Sequence, residues 1–147
     1  MTGFAAAIED WVKETEQRML AVVQDAALHM VNDMQTPTAK GGRMRVDTGF
    51  LRASGRGAIG SMPSGPSQQP EGAPVGQYTG IYDTFDGYPL GAVLQDLKLG
   101  ETFYFGWTAA YAPVRNTYDG FMDTAVQNWQ GYIDSSTNRL RDRIAAR

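Results

Sequence analysis

Between residues 4 and 34 apolar side chains return every three or four positions: Phe4, Ile8, Trp11, Val12, Met19, Val22, Val23, Ala26 and Met30. That spacing follows the 3.6-residue turn of an α-helix and predicts one long helix with a single apolar face. Neither glycine nor proline interrupts it. Glu9–Lys13 and Glu14–Arg18 stand four residues apart with the acid first, the more favourable order for an ion pair along a helix. Pro37 and Gly41-Gly42 stop the helix, so residues 1–38 form the first unit. His29, the only histidine, sits near the edge of the stripe and reads as structural, because no second His or Cys is nearby to share a metal.

A different pattern governs the second half. In 92–107, "AVLQDLKLGETFYFGW", Leu97 and Leu99 alternate with Lys98, and Phe103, Phe105 and Trp107 alternate with Tyr104 and Gly106. Period-two alternation on both sides of Gly100-Glu101 predicts two strands and a turn within 92–118. Residues 119–147 return to helical spacing through Met122, Val126, Trp129, Ile133, Leu140 and Ile144, with Asp119 expected as N-cap. Between the first helix and the strands lies 55–92, punctuated by Gly and Pro, which predicts an extended loop or arm. The expected fold is α+β: one domain, 1–147, with two long helices packed on a small antiparallel sheet through Trp11, Met19, Trp129 and Ile133.

Charge is distributed in blocks. The net charge is −3, yet residues 39–60 carry Lys40, Arg43, Arg45, Arg52 and Arg56 against Asp47 alone, and the tail carries Arg139, Arg141, Arg143 and Arg147. Alternating blocks suit self-association, where unlike faces of identical subunits meet. A nucleic-acid-binding module using 40–56 is the alternative, and it calls for basic residues converging on one face. The sequence contains no cysteine and no run of about 20 apolar residues, so neither a disulfide framework nor a membrane span is expected.

Three stretches carry catalytic overtones. Asp47-Thr48-Gly49 is the tripeptide of retroviral-type aspartic proteases, but that chemistry needs two carboxylates sharing a proton, and here the aspartate follows Arg43-Met44-Arg45-Val46. A dimeric protease built on Asp47 stays as the minor alternative. The simpler reading is that Asp47 and Thr48 shape a turn that Gly49 permits. Gly55-Arg56-Gly57-Ala58-Ile59-Gly60 fits G-x-G-x-x-G, but Pro63 and Pro66 forbid the helix that would hold a pyrophosphate. Asp83-Thr84-Phe85-Asp86-Gly87 lacks the further acids of a calcium loop. No catalytic residue, metal ligand or cofactor is assigned, and no enzymatic activity is expected.

Four stretches together resemble a known family. "VDTGFLRAS" is similar to the D-T-G-x-L-R-x-S signature of small neck or minor-tail components of long-tailed bacteriophages, and "SMPSGPS" to the loop that follows it in relatives from phages and gene-transfer agents. "LGETFYFGWTAAYAP" resembles their strand pair ending in G-W-x-x-x-Y-A-P, and "GFMDTAVQNWQGYID" the start of their closing helix. The order is that of the family, across most of 46–134. One departure is Arg115, which stands where relatives often carry an acid.

The resemblance implies a structural virion protein: a head–tail connector, tail-completion or tail-terminator subunit at the head–tail junction or top of the tail, present in host cytoplasm during assembly. Its partners would be its own copies in a hexameric or dodecameric ring, other connector and tail-tube proteins, and genomic DNA passing without sequence-specific binding. Arg45, Arg52, Arg56, Met62, Pro63, Pro66, Tyr78, Tyr82 and Arg115 are then the candidate interface residues, with Arg52 facing a carboxylate of its own or a neighbouring subunit. Tyr111 and Pro113 would set the course into the second helix, beside the Asp47-Thr48-Gly49 turn.

Overall fold

In the computed structural model, which describes residues 2–47, 49–68 and 90–147, the helical stripe is realised as one helix, α1, over Thr2–Gln35. At 1.5 Å per residue it is about 51 Å long. Beyond it, the chain turns back through a short 3₁₀ turn, Thr38–Lys40, closed by Gly41 at φ 85°. Met44 then returns beside Pro37, its N–H donating to the Thr36 carbonyl at 3.3 Å. Gly42 is required there, because a Cβ would collide with the Thr36 carbonyl.

Gly49 adopts φ 88°, ψ −2° and opens the short helix α2, Phe50–Ala53. Strand β1, Gly55–Ile59, follows at once and pairs antiparallel with β2, Phe103–Trp107, with Gly57 opposite Phe105. Helix α3, Leu90–Gln95, precedes β2, and α4 (Ala112–Asp119), α5 (Phe121–Gln127) and α6 (Trp129–Ala145) complete the chain. The architecture is α+β: α1 and α6 pack together alongside a two-stranded antiparallel sheet.

The strand pair differs from expectation in its first member. Leu97 and Leu99 lie not on a strand but in the turn after α3, where Lys98 N–H donates to the Glu101 carboxylate at 2.8 Å and Gly100 takes φ 88°. The true partner of β2 is the glycine-rich 55–59, expected to belong to a loop. Its glycines are there for room. A Cβ on Gly57 would lie 2.8 Å from the Phe103 ring, and one on Gly55 would strike the Gln35 side-chain amide. A strand interior that another group approaches closely is where glycine is tolerated. Residues 60–68 then run beside the exit of β2, held by Thr108 Oγ1 donating to the Pro66 carbonyl at 2.7 Å and Ala110 N–H to that of Ser67 at 2.8 Å. The expected arm, 55–92, thus begins as a strand and ends in a helix; 69–89, with Tyr78, Ile81 and Tyr82, lies outside the described residues.

The closing helix is also divided. Asp119 is not an N-cap but the last residue of α4, and Gly120 at φ 68° separates α4 from α5. The first turn of α5 is capped instead by Asn116, whose Oδ1 accepts from Met122 N–H at 2.9 Å. Asn128 separates α5 from α6.

Two apolar clusters form the interior. One gathers Ala27, Val31, Met34, Leu90, Leu94 and Ala125; the other gathers Met44, Phe50, Leu51, Ala109, Ala112 and Phe121. Trp107 packs against both. Its ring meets Phe105 edge-on at 5.3 Å and Phe121 at 4.8 Å. The expected core anchors Trp11, Met19 and Trp129 are not interior: they are 66%, 57% and 37% exposed. For Trp11 and Met19 the reason is register. Tyr132 donates to Asp33 at 2.6 Å and Arg139 to Asp25 at 2.6 Å, so α6 runs antiparallel to the C-terminal half of α1. That alignment brings the end of α6 level with roughly residue 19, and the first half of α1 extends past it.

The Asp25–Arg139 contact gives this pairing a pH signature. Burial alone would raise the Asp25 carboxyl, but hydrogen bonds from Arg139 and Ser136 and the charges of Arg139 and His29 outweigh it and hold it below its ordinary value of 3.8. A carboxyl lowered on folding stabilises at pH above the unfolded value, and that contribution is lost as pH falls through the folded value. Because both side chains keep solvent contact, Asp25→Asn should cost about 0.5–1 kcal/mol at pH 7. The wild-type advantage should shrink progressively as pH falls below that ordinary value, as read by paired urea melts.

Candidate functional site

The Asp-Thr-Gly stretch is built into a structural joint. Gln35, the last residue of α1, is fully buried and bonds in three directions. Its Nε2 donates to the Arg52 carbonyl at 2.8 Å, its Oε1 accepts from Trp107 Nε1 at 2.7 Å, and its own carbonyl accepts from Arg52 Nε at 2.7 Å. Leu51 enters the second apolar cluster, and Ser54 Oγ donates to the Leu51 carbonyl at 2.7 Å. One polar knot therefore ties the end of α1, helix α2 and strand β2 together. Buried amides of this kind stabilise only when each group is satisfied, which this geometry achieves for Gln35. Nothing in the sequence singled out Gln35: a glutamine is an ordinary helix residue, and its partners lie 17 and 72 positions away.

Around this joint opens a cleft of about 590 Å³ lined by Arg45, Asp47, Gly49, Arg52, Tyr111 and Arg115, among others. It brings together six of the residues singled out in the sequence. Arg45 is exposed, whereas Arg52 is buried and spends its Nε on the Gln35 carbonyl. Arg115 reaches both oxygens of the Asp119 carboxylate at 2.7 Å, so its charge is balanced within the chain. Tyr111 precedes α4 at φ −89°, with Pro113 in the first turn. Burial raises the Tyr111 phenol above its ordinary value, a Leu51 backbone hydrogen bond opposes this, and the Asp47 charge adds to it. The described lining offers a single carboxylate, Asp47, set among arginines. That composition suits holding an anionic group; proton sharing between two acids would need a second carboxylate.

The other candidates fall elsewhere. Arg56 lies on β1, half-buried, with its Nε lacking a hydrogen-bond partner among the described residues. Met62 is exposed and its methyl end lies over Gly106, while Pro63 and Pro66 follow along the same edge. Thr48, Tyr78 and Tyr82 lie outside the described residues. The basic segment does not gather on one cleft: Lys40 and Arg43 line a second hollow with Asp33 and Tyr132, apart from Arg45 and Arg52.

A further surface is apolar. Between the C-terminal half of α1, β2 and α5 lies a cleft of about 400 Å³ lined by Val23, Met30, Phe103, Phe105, Val126 and Trp129 among others. Beyond it, the stripe continues along α1 as Phe4, Ile8, Trp11 and Met19, all exposed, Phe4 to 72%. Among the described residues no group of three His, Cys, Asp or Glu side chains is placed to hold a metal, and no helix is long and apolar enough to cross a membrane. Comparison with protein-family models gives no match, nor do comparisons with curated proteins or with solved structures.

Proposed function

We propose that this chain is a structural assembly subunit, forming a ring at the head–tail junction or top of the tail of a long-tailed phage, joining head to tail and bordering the DNA channel. The observation that carries the reading is the bare apolar half of α1: a monomer has no use for Phe4, Ile8, Trp11 and Met19 in water, whereas a subunit has. The local chemistry supports the same reading. In "DTGFLRAS" the glycine makes a turn, the leucine enters the core and the arginine clamps α1, so the motif is occupied with architecture. The net negative charge suits a channel through which DNA passes without adhering. No catalytic role is assigned to Asp47.

Immunogold labelling of particles carrying a C-terminally tagged copy of this chain tests the proposal. Label confined to the neck or upper tail is the expected result. Label on capsid faces or tail fibres, or its absence from purified particles, would overturn it.

A further inference from the structure

Helix α1 has two halves with different surroundings. Its C-terminal half lies against β2, α3 and α5 of its own chain, through Ala27, Val31 and Met34. The N-terminal half, about 25 Å of helix from residue 2 to 18, extends past α6 with Phe4, Ile8 and Trp11 in solvent. On the same chain, Val23, Met122, Val126 and Trp129 border the apolar cleft and are also exposed. Among the described residues two apolar surfaces are thus uncovered, one convex and one concave.

We infer that the N-terminal half of α1 docks into the apolar cleft of a second copy of this chain, a head-to-tail contact that repeats from subunit to subunit; this rests on the ring-forming role proposed above. Symmetric pairing of two such helices is the natural competitor, and charge argues against it. Residues 2–18 carry Glu9, Asp10, Glu14 and Glu16 against Lys13 and Arg18, so pairing the segment with itself would bring two net-negative segments together, whereas the described lining of the cleft holds a single acid, Glu101. Such pairing would also leave Val126 and Trp129 bare. Inserting the helix into the cleft covers both surfaces with one contact, and because the two surfaces differ, every subunit keeps one of each to offer. Trp11, large and apolar with one polar edge, is the kind of residue that anchors such a contact.

The cysteine-free sequence makes a direct test possible. Ala7→Cys and Gln127→Cys alter exposed positions beside the two surfaces and leave Trp11 and Val126 in place, and circular dichroism checks that each variant folds. Treating a mixture of the two with a short bis-maleimide should give a heterodimer linked from position 7 to position 127. A chain bearing both substitutions should give a ladder of higher multimers, and adding Trp11→Glu should abolish the link. Products linked 7 to 7, links within one chain, or no 7-to-127 product would overturn the docking. The two proposals fail separately. A neck ring lacking the 7-to-127 link refutes the docking alone, whereas a 7-to-127 link in a protein found outside the neck refutes the ring role alone.

Discussion

Trp107→Ala is expected to lower the unfolding free energy by about 3–5 kcal/mol, a fall in melting temperature of roughly 6–20 °C for a chain of this size. The size of the effect comes from the indole's position between two apolar clusters, where its removal opens a void in each. It also leaves Gln35 Oε1 without its donor. Gln35→Leu should cost about 2–4 kcal/mol by the complementary route. The leucine keeps the volume but removes the Gln35 donor to the Arg52 carbonyl and the acceptor of the indole N–H, at about 1–3 kcal/mol for each lost partner. Because the two residues share one hydrogen bond, Gln35→Leu and Trp107→Phe should not add. A double-mutant cycle in urea should return a coupling of about 1 kcal/mol or more. Additivity within about 0.3 kcal/mol would mean the knot is not a unit.

Gly55→Val should be comparably damaging, at about 3 kcal/mol. Its Cβ would meet the Gln35 amide and stand 3.0 Å from the Phe105 ring, so the residue cannot be accommodated without moving the buried knot or the strand partner. Overpacking alone costs about 1–3 kcal/mol, and displacing Gln35 adds the loss of its hydrogen bonds. Gly91→Ala supplies the contrast. Nothing lies within 4 Å of a Cβ there, and the position is inside α3, so the change should be neutral or stabilise by up to about 1 kcal/mol. Thermal melts of the two variants beside wild type make the check. Equal stabilities would show that β1 does not need its glycines.

What could be read from the sequence follows from how each element is stabilised. Helix α1 was legible because its stripe repeats over eight or nine turns, long enough for periodicity to dominate. Strand β2 was legible because Phe103, Phe105 and Trp107 alternate. Strand β1 was hidden because its residues are chosen for what lies across from them: glycine weakens a strand locally and is favoured here by the Phe103 ring at Gly57 and by the Gln35 amide and the Phe105 ring at Gly55. Helix α3 was hidden by Leu97 and Leu99, whose alternation belongs to a turn. Within the cationic cleft, "RVDTGFLR" stood out in the sequence, but the bond from Arg52 to the Gln35 carbonyl did not. Its described bond is to a backbone carbonyl of α1, and backbone partners leave no mark in a sequence.

The pairing of the first helix with the last also sets an order on how the molecule comes into being. Asp33 meets Tyr132 and Asp25 meets Arg139 across 99 and 114 positions, so these bonds cannot form until Tyr132 and Arg139 have left the ribosome. At about 5–20 residues per second, α1 waits roughly 5–20 s for its partner. During that interval its entire apolar stripe faces solvent, and closing so large a loop is slow in itself. The pairing of α1 with α6 is therefore a late step in the folding of this chain, set by the 99 and 114 positions that separate its bonded residues.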